Sequence, residues 1–241
     1  MSSPVLAVRL GRGRTGGSTG LDWLIQRAES EKREVIIADG DKRNATLSAL
    51  YNGKSVQPET DEIPDVKDWI SQVLDCMVAS RRSVVLDLGG GDRVLPEYVR
   101  DLDLVGFCNH AGAFPLALYF IGPDADDLEH AWKIFTAEVF RPERTVIVLN
   151  EYLVKAGQTP ATAFAKTVKN GQLMEMAQEG ARMIYMPRLP CMGRVRELGL
   201  PLNAAAEGSK ELGPTAAFMV RRWLHRLEDE CERAGIDDWL P

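Results

Sequence analysis

The sequence is poor in the residues that build metal centres and disulfide frameworks. It contains only three histidines and four cysteines among its 241 residues, and the cysteines form no Cys-x-x-Cys pair. We therefore expect neither a zinc site nor structural disulfides. No apolar run reaches the roughly 18 residues that a membrane helix needs, and the N-terminal stretch lacks the apolar segment of a signal peptide. These absences predict a cytoplasmic protein without a membrane partner.

Positive charge is also scarce. Lysine and arginine total 29 against 35 aspartates and glutamates, so the formal net charge is −6 at pH 7. This balance excludes a histone-like coat protein, and any contact with nucleic acid has to come from a local basic patch. The length of the chain and its 45% apolar content are those of an ordinary globular protein. We expect a single domain over residues 1–241.

Short apolar runs alternate with amphipathic stretches along the chain. Runs of strand length are predicted at 5–10, 34–38, 83–88, 102–108, 145–149 and 182–186. Helical periodicity is predicted after residue 20 and over 44–51, 66–79, 126–139 and 214–234. Strands that alternate with helices favour an α/β fold. The sequence therefore predicts a doubly wound, mostly parallel sheet flanked by helices.

A glycine-rich segment, residues 11–20, follows the first predicted strand. Ligands of open parallel sheets bind beyond the carboxyl ends of the strands, so this segment is the first candidate for a binding site. Glycines let the backbone amides curl around an anion, and the following helix offers the positive end of its dipole. The pattern favours a phosphate-binding loop.

This loop resembles the deviant Walker A loop of the ParA/MinD-type P-loop ATPases, whose pattern is KGGxGKST. Residues 12–19, RGRTGGST, follow the pattern but lack both of its lysines. Arg12 stands at the position of the signature lysine, and Gly17 stands at the position of the second, so the loop is a degenerate one. The resemblance implies a protein that binds ATP and Mg²⁺ and has at most weak ATPase activity.

Two further segments resemble the same family and occur in the expected order. Asp41 follows the second predicted strand in a segment similar to the family's DxDxxxN region, which implies that Asp41 orients the attacking water. Asp87 ends another apolar strand and opens a segment that resembles the Walker B and switch II region. The resemblance implies that Ser18 and Asp87 serve Mg²⁺ and that glycines 89–91 respond to the γ-phosphate. It also implies that Arg12 reaches the phosphates of a partner subunit.

Two later segments resemble those that hold the nucleotide base in this family. Asn150 closes a strand similar to one that ends near the base, and Pro187 lies in a segment similar to the one on the other side of the adenine. The nucleotide contacts implied by the resemblance are therefore Gly13, Arg14, Thr15, Gly16, Gly17, Ser18, Thr19, Asn150 and Pro187.

The resemblance also implies a cellular role, that of a partition or positioning protein. Such a protein is a nucleotide-controlled homodimer, or a higher assembly, that binds DNA non-specifically during plasmid or chromosome segregation. A small DNA-binding adaptor protein is a further implied partner. The basic residues that would contact DNA are Arg194, Arg196, Arg221, Arg222 and Arg226.

Two other functions stay open at this point. Gly17 in place of a lysine fits a protein without ATPase activity that acts as a nucleotide-independent DNA-binding or scaffold module. Alternatively, Gly11, Gly13 and Gly16 match the pattern GxGxxG, and Asp39 lies where an acidic residue holds a ribose. This second combination predicts an NAD-binding Rossmann oxidoreductase.

Overall fold

The computed structural model describes residues 3–90 and 93–241. These residues form one seven-stranded sheet in which all neighbouring strands are parallel. Numbered along the chain, the strands are β1 (Val5–Leu10), β2 (Val35–Asp39), β3 (Ser55–Val56), β4 (Ser83–Asp87), β5 (Phe114–Ile121), β6 (Arg144–Asn150) and β7 (Arg182–Met186). Their order across the sheet is β3-β2-β4-β1-β5-β6-β7. The predicted α/β fold class is confirmed.

Helices cover both faces of the sheet. Within the described residues they are α1 (Gly17–Ser30), α2 (Thr46–Leu50), α3 (Ile63–Ser80), α4 (Val94–Asp101), α5 (Leu104–His110), α6 (Ala125–Thr136), α7 (Pro160–Ala163), α8 (Gly171–Gln178), α9 (Met192–Glu197), α10 (Leu202–Glu207) and α11 (Pro214–Ala234). Short 3₁₀ turns lie at Glu151–Leu153 and Asp237–Trp239. None of these helices is both long enough and apolar enough to cross a membrane.

The central strand β1 is buried on both faces because helices cover both. Leu6 and Val8 pack into the core layer that includes α3, α4, α5 and α6, whereas Val5 and Ala7 pack into the layer that includes α1, α10 and α11. Side chains of a strand alternate between its faces, so Arg9 points to the same side as Val5 and Ala7. A charged side chain that is only 5% exposed therefore enters the layer below α1.

The position of β4 in the sheet distinguishes between the candidate folds. β4 lies between β1 and β2 and pairs with both, whereas in the dinucleotide-binding order the first strand adjoins the second. The register of β2 and β4 also aligns Asp39 with Asp87 at the carboxyl edge of the sheet. The strand order therefore departs from that of an NAD-binding Rossmann oxidoreductase, and that alternative has no support from the topology.

One strand prediction is wrong and two strands, β3 and β5, were not predicted. The run 102–108 lies mostly in α5, whose N-cap Asp103 accepts a hydrogen bond from the Gly106 amide at 2.9 Å. A short apolar run does not distinguish a buried helix from a buried strand, and here the capping aspartate determines the helix. Of the two unpredicted strands, β3 is only two residues long, and β5 lies next to β1 and contains Pro115. Proline normally argues against a strand in the middle of a sheet.

A buried carboxylate joins α1 to the C-terminal half of the chain. Asp22 is fully buried, and its Oδ1 accepts hydrogen bonds from the Tyr51 hydroxyl at 2.6 Å and the Leu202 amide at 3.2 Å. Its Oδ2 pairs with the Arg196 guanidinium at 2.8 Å. Burial and the adjacent Asp22 charge raise the pKa of Tyr51, so the phenol remains the donor. These contacts fix the helix that carries the glycine-rich loop at its N-terminus.

We expect Asp22→Ala to destabilise the fold by about 3 kcal/mol or more, because it leaves a partly buried cation and a buried amide without their acceptor. The matched control is Asp229→Ala on α11, where the carboxylate is 54% exposed. That change should cost at most about 0.5 kcal/mol. Urea unfolding of the two variants measures the difference. Equal unfolding midpoints would contradict the role assigned to Asp22.

Candidate functional site

The glycine-rich loop joins β1 to α1 at the carboxyl edge of the sheet. α1 begins at Gly17, earlier than predicted, and its N-cap Gly16 has a φ of 91°. Glycine adopts this left-handed conformation without strain, and a Cβ on Gly16 would overlap the side-chain amide of Asn150. Among the described residues no side chain caps α1, and the amides of a first helical turn have no intrahelical acceptor. Such a helix end favours an anionic ligand.

Asn150, at the end of β6, holds the loop in shape. Its Nδ2 donates to the Thr15 carbonyl at 2.8 Å, and its Oδ1 accepts from the Tyr152 amide at 3.0 Å. The Thr15 hydroxyl in turn donates to the Arg12 carbonyl at 2.8 Å. Asn150 is only 2% exposed, so these bonds are shielded from water. The side-chain amide of Asn150 is therefore bound to the loop. The resemblance, by contrast, implies that Asn150 contacts a nucleotide base.

Removing this support should loosen the loop. We expect Asn150→Ala to cost about 1–3 kcal/mol because the Thr15 carbonyl loses a buried donor. Hydrogen exchange of the amides of residues 13–17 should become faster in this variant than in the unaltered protein. Asn109→Ala, at an exposed asparagine near the end of α5, is the control and should change neither quantity. Unchanged exchange in the Asn150 variant would show that the loop does not depend on this contact.

The structure brings together the two residues that the resemblance implies for metal binding. The Ser18 hydroxyl at the start of α1 donates to Asp87 Oδ2 at 2.7 Å. The other carboxylate oxygen of Asp87 accepts from the Gly89 amide at 2.9 Å, which fixes the start of the loop after β4. Hydroxyl and carboxylate oxygens are ligands that Mg²⁺ prefers. The donor set therefore fits the implied cation.

The two aspartates that follow β2 have different surroundings. Asp39 is 1% exposed and accepts hydrogen bonds from the amides of Asp41 at 3.2 Å and Ser48 at 2.8 Å. Burial raises the pKa of Asp39, and both of its oxygens are bound to backbone, so Asp39 shapes the loop. Asp41 lines the cleft beside the loop. Its Oδ2 lies 2.7 Å from the place that a Cβ on Gly89 would take.

The loop after β4 meets the glycine-rich loop backbone to backbone. A Cβ on Gly90 would overlap the nitrogen and Cα of Gly13, so at this point the two backbones lie in direct contact. Gly89 has a φ of 80°, which turns the chain beside Asp41. The predicted responsive segment also includes Gly91, which lies outside the described residues. Direct contact of this kind lets a change in one loop displace the other.

The two arginines of the loop are not buried. Arg12, at the position of the signature lysine, turns toward α6, where its Nη1 lies 3.3 Å from Asp127 and 3.7 Å from Asp126. Its side chain is 45% exposed, so these pairs are weak. Arg14 lines the cleft and has a φ of 66°, in the left-handed region where the family pattern has glycine. The contact implied for Arg12 with a partner subunit would require its pairs with α6 to open.

Arg9 is a functional candidate that the sequence patterns did not reveal. Its side chain is 4% exposed, its Nη2 donates to the Arg12 carbonyl at 2.8 Å, and its Nη1 lies 3.7 Å from Asp87 Oδ1. The Nε has no hydrogen-bond acceptor among the described residues. The signal in the sequence is the arginine itself, in the otherwise apolar run VLAVRL. A buried charge needs a partner or a ligand.

Arg9, Arg14, Ser18 and Asn150 line one cleft of about 840 Å³, a volume within the range of about 300–1,000 Å³ typical of small-molecule sites. Asp41 and Gly90 line the cleft together with the loop, and so do the apolar residues Pro187, Leu189 and Trp223. The Pro187 carbonyl accepts a hydrogen bond from Trp223 Nε1 at 2.6 Å. The lining therefore combines amides and charges with an apolar part, which suits a ligand with an anionic end and an aromatic end.

The five arginines implied in DNA binding lie in different settings. Arg196 lines the cleft, where it pairs with Asp22 and its Nη2 lies 3.3 Å from the Thr19 hydroxyl. Arg194 lies 3.5 Å from Glu197. The others are exposed on α11, namely Arg221, Arg222 and Arg226. Arg196 is therefore a residue of the cleft and not of an exposed basic patch.

The parallel sheet, the glycine-rich loop between its first strand and first helix, and the aspartates at the ends of neighbouring strands define the fold class as that of the P-loop NTPases. Among solved structures, the chain is similar to the MinD cell division protein of Aquifex aeolicus, with a TM-score of 0.53 and 15% identity over 95% of this chain and 98% of that one. It is also similar to the signal recognition particle receptor FtsY of Elizabethkingia anophelis in complex with GDP, with a TM-score of 0.50 and 13% identity over 71% of this chain and 56% of that one. No protein-family model and no curated protein matches the sequence. The chain thus has a MinD-like P-loop NTPase fold.

Proposed function

We propose that the protein is a nucleotide-controlled switch of the ParA/MinD type, which binds ATP and Mg²⁺ in the cleft beside the glycine-rich loop. The main support for this proposal is the hydrogen bond of 2.7 Å from the Ser18 hydroxyl to the Asp87 carboxylate at the N-terminus of α1. A hydroxyl and a carboxylate beside the amides of a helix N-terminus are the groups that a phosphate-bound magnesium ion needs.

The residues of the cleft fit the parts of this ligand. The amides of residues 13–19 would hold the phosphates, Ser18 and Asp87 would hold the metal, and the apolar lining around Pro187 would take the base. When bound, Mg²⁺ neutralises phosphate charge and favours attack at the γ-phosphoryl group. Arg196 supports this arrangement from the protein side, because its contact with Thr19 ties the first turn of α1 to Asp22.

Asp41 is the carboxylate that we assign to the attacking water. Its Oδ1 accepts a hydrogen bond from the Asn44 amide at 3.1 Å, which orients the side chain. Its Oδ2 lies on the side of Gly89, where it is able to accept a proton from a water molecule. The loop lacks both family lysines, so we expect any ATPase activity to be weak.

Association of two copies is the proposed output of the switch. Arg12 would leave its half-exposed pairs with Asp126 and Asp127, which contribute only about 0–1 kcal/mol, and would reach the phosphates of the partner. The contact between Gly13 and Gly90 couples the glycine-rich loop to the loop after β4. A ligand that fixes the first loop would therefore favour one arrangement of the second, and with it one state of association.

Calorimetric titration with ATP and Mg²⁺, followed by light scattering of the same samples, tests the nucleotide switch. We expect a dissociation constant on the order of micromolar and a mass that rises from 26.7 kDa toward twice that value. A non-hydrolysable analogue should give the same result. Asp87→Ala should abolish the Mg²⁺-dependent binding, whereas Arg12→Ala should weaken only association.

The control for this experiment is Arg100→Ala, at an exposed arginine of α4, which should behave as the unaltered protein. Failure of the unaltered protein to bind ATP, with or without Mg²⁺, would overturn the nucleotide switch. It would instead favour the nucleotide-independent scaffold or DNA-binding module that Gly17 suggests.

We further propose that the associated form holds DNA non-specifically during plasmid or chromosome partition, with a small DNA-binding adaptor protein as a second partner. Support comes from α11, where Arg221, Arg222 and Arg226 are exposed. Arg222 and Arg226 are four residues apart and so share a helix face. Glu230, the next position on that face, pairs with Arg233 at 2.6 Å. The two arginines are therefore available to phosphates.

The double variant Arg222→Glu/Arg226→Glu tests this surface. It should weaken DNA binding at every sequence tested and reduce the slope of log affinity against log salt by about 2, since each phosphate contact contributes about 0.9. Arg100→Glu on α4 is the control, because α4 packs into the core layer on the opposite face of the sheet. Anisotropy titrations at several salt concentrations measure both slopes. Equal slopes for the two variants would overturn the DNA surface.

A further inference from the structure

A buried arginine occupies the space where the side chain of the missing lysine would begin. A Cβ on Gly17 would overlap the Nε of Arg9 and come within 2.8 Å of its Cγ and 2.9 Å of its Cδ. Arg9 belongs to β1 and extends below the first turn of α1, so its guanidinium reaches the loop from the strand. Arg9 therefore occupies the space that a side chain at residue 17 would need, so the two residues depend on each other for packing.

We propose that Arg9 is the phosphate-binding cation of this site, and that residue 17 is glycine because Arg9 fills its side-chain space. This inference rests on the proposed function, since it names the residue that would hold the phosphate chain of the nucleotide. It differs from that function in one respect, because it applies to any ligand with a phosphate chain.

Within the described ranges 3–90 and 93–241, the charge of Arg9 is incompletely paired. Among the described residues, the carboxylate within ion-pair distance is that of Asp87, at 3.7 Å, and both side chains are at least 96% buried. Asp87 is shared, because its oxygens also accept from Ser18 and Gly89. The N-terminus of α1 adds further positive potential at this place. Burying a cation there is unfavourable unless an anion completes the site.

Among the described residues, the hydrogen bond to the Arg12 carbonyl uses only one of the five N–H donors of Arg9. Nη2 is bound to the Arg12 carbonyl and Nη1 faces Asp87, which fixes the plane of the guanidinium. The remaining group, Nε, is shielded from water, has no acceptor among the described residues and lies next to Gly17. Arg9 also lines the cleft. A guanidinium fixed in this way binds a phosphate oxygen without losing further side-chain freedom.

The exposed loop arginines are less suited to this role. Arg12 points toward α6, where it pairs with Asp127, and Arg14 is exposed to solvent. Either side chain would have to be ordered when a ligand binds, which reduces the gain in affinity. Arg9 is already ordered by the core of the protein. It is thus the cation whose backbone is held by a strand of the sheet and not by the loop.

A double-mutant cycle tests the proposal, with ATP and inorganic triphosphate as probes, each with Mg²⁺. Arg9→Ala should weaken binding of both probes by about 10- to 100-fold, as expected for loss of a charged hydrogen bond. Gly17→Lys alone should also weaken binding, because lysine does not fit beside Arg9. Arg9→Ala/Gly17→Lys should recover affinity to within a few-fold of the unaltered protein, because the lysine then takes the vacated space.

Two further variants separate binding from folding. Arg9→Met keeps most of the side-chain volume, so it should remain folded but lose the rise in melting temperature that triphosphate gives the unaltered protein. Arg27 is a buried arginine in the last turn of α1 and is paired with Glu228 at 2.9 Å. Arg27→Met should lower the melting temperature and leave the affinity for both probes unchanged.

Each result supports or overturns the assignment of Arg9. Unchanged affinity in Arg9→Ala, or tighter binding by Gly17→Lys alone, would overturn it, and so would a double variant no better than Gly17→Lys. Binding of triphosphate that depends on Arg9, without binding of ATP, would support Arg9 while overturning the nucleotide switch. Binding of ATP that does not depend on Arg9 would overturn Arg9 alone. Binding of neither probe would overturn both.

Discussion

The buried carboxylate of Asp87 is the group on which the arrangement of the site depends. It accepts hydrogen bonds from the Ser18 hydroxyl of α1 and the Gly89 amide of the following loop, and it faces the Arg9 guanidinium of β1. Asp87 reaches all three because β4 lies directly beside β1. In a sheet where β2 took that place, the carboxyl end of β4 would lie one strand farther from the glycine-rich loop. Strand order therefore controls which residues meet at this edge of the sheet.

The parts of the fold that the sequence predicts well are those whose pattern is local. The predicted ranges 5–10, 182–186 and 214–234 coincide with β1, β7 and α11, where apolar periodicity and flanking residues agree. The start of α1 was predicted too late because glycine has low helix propensity. Tertiary packing explains why residue 20 is a glycine, since a Cβ on Gly20 would overlap the ring of Phe120. No local rule predicts that contact.

In the candidate site, too, the sequence predicts what depends on local motifs but not what depends on tertiary packing. The family resemblance pointed to Ser18, Asp41 and Asp87, which follow predicted strands, and parallel strands end together at one edge of the sheet. The pairs of Arg12 with Asp127 and of Arg196 with Asp22 could not be predicted. Each joins residues more than a hundred positions apart in the sequence. Such pairs depend on how the helices pack and not on any motif.

The position of Arg9 also changes how a degenerate loop should be interpreted. A missing loop lysine removes a charge from the motif, but not necessarily from the site, because a strand below the loop can supply one. Arg9 lies in a backbone ladder opposite Leu118 of β5, so its Cα is held by the sheet whatever the loop does. The same guanidinium faces Asp87, whose other oxygen binds Ser18. An anion bound to Arg9 would therefore compete with the Asp87 carboxylate for the guanidinium. Because Asp87 also binds Ser18 and the Gly89 amide, binding of the anion would affect the loop after β4.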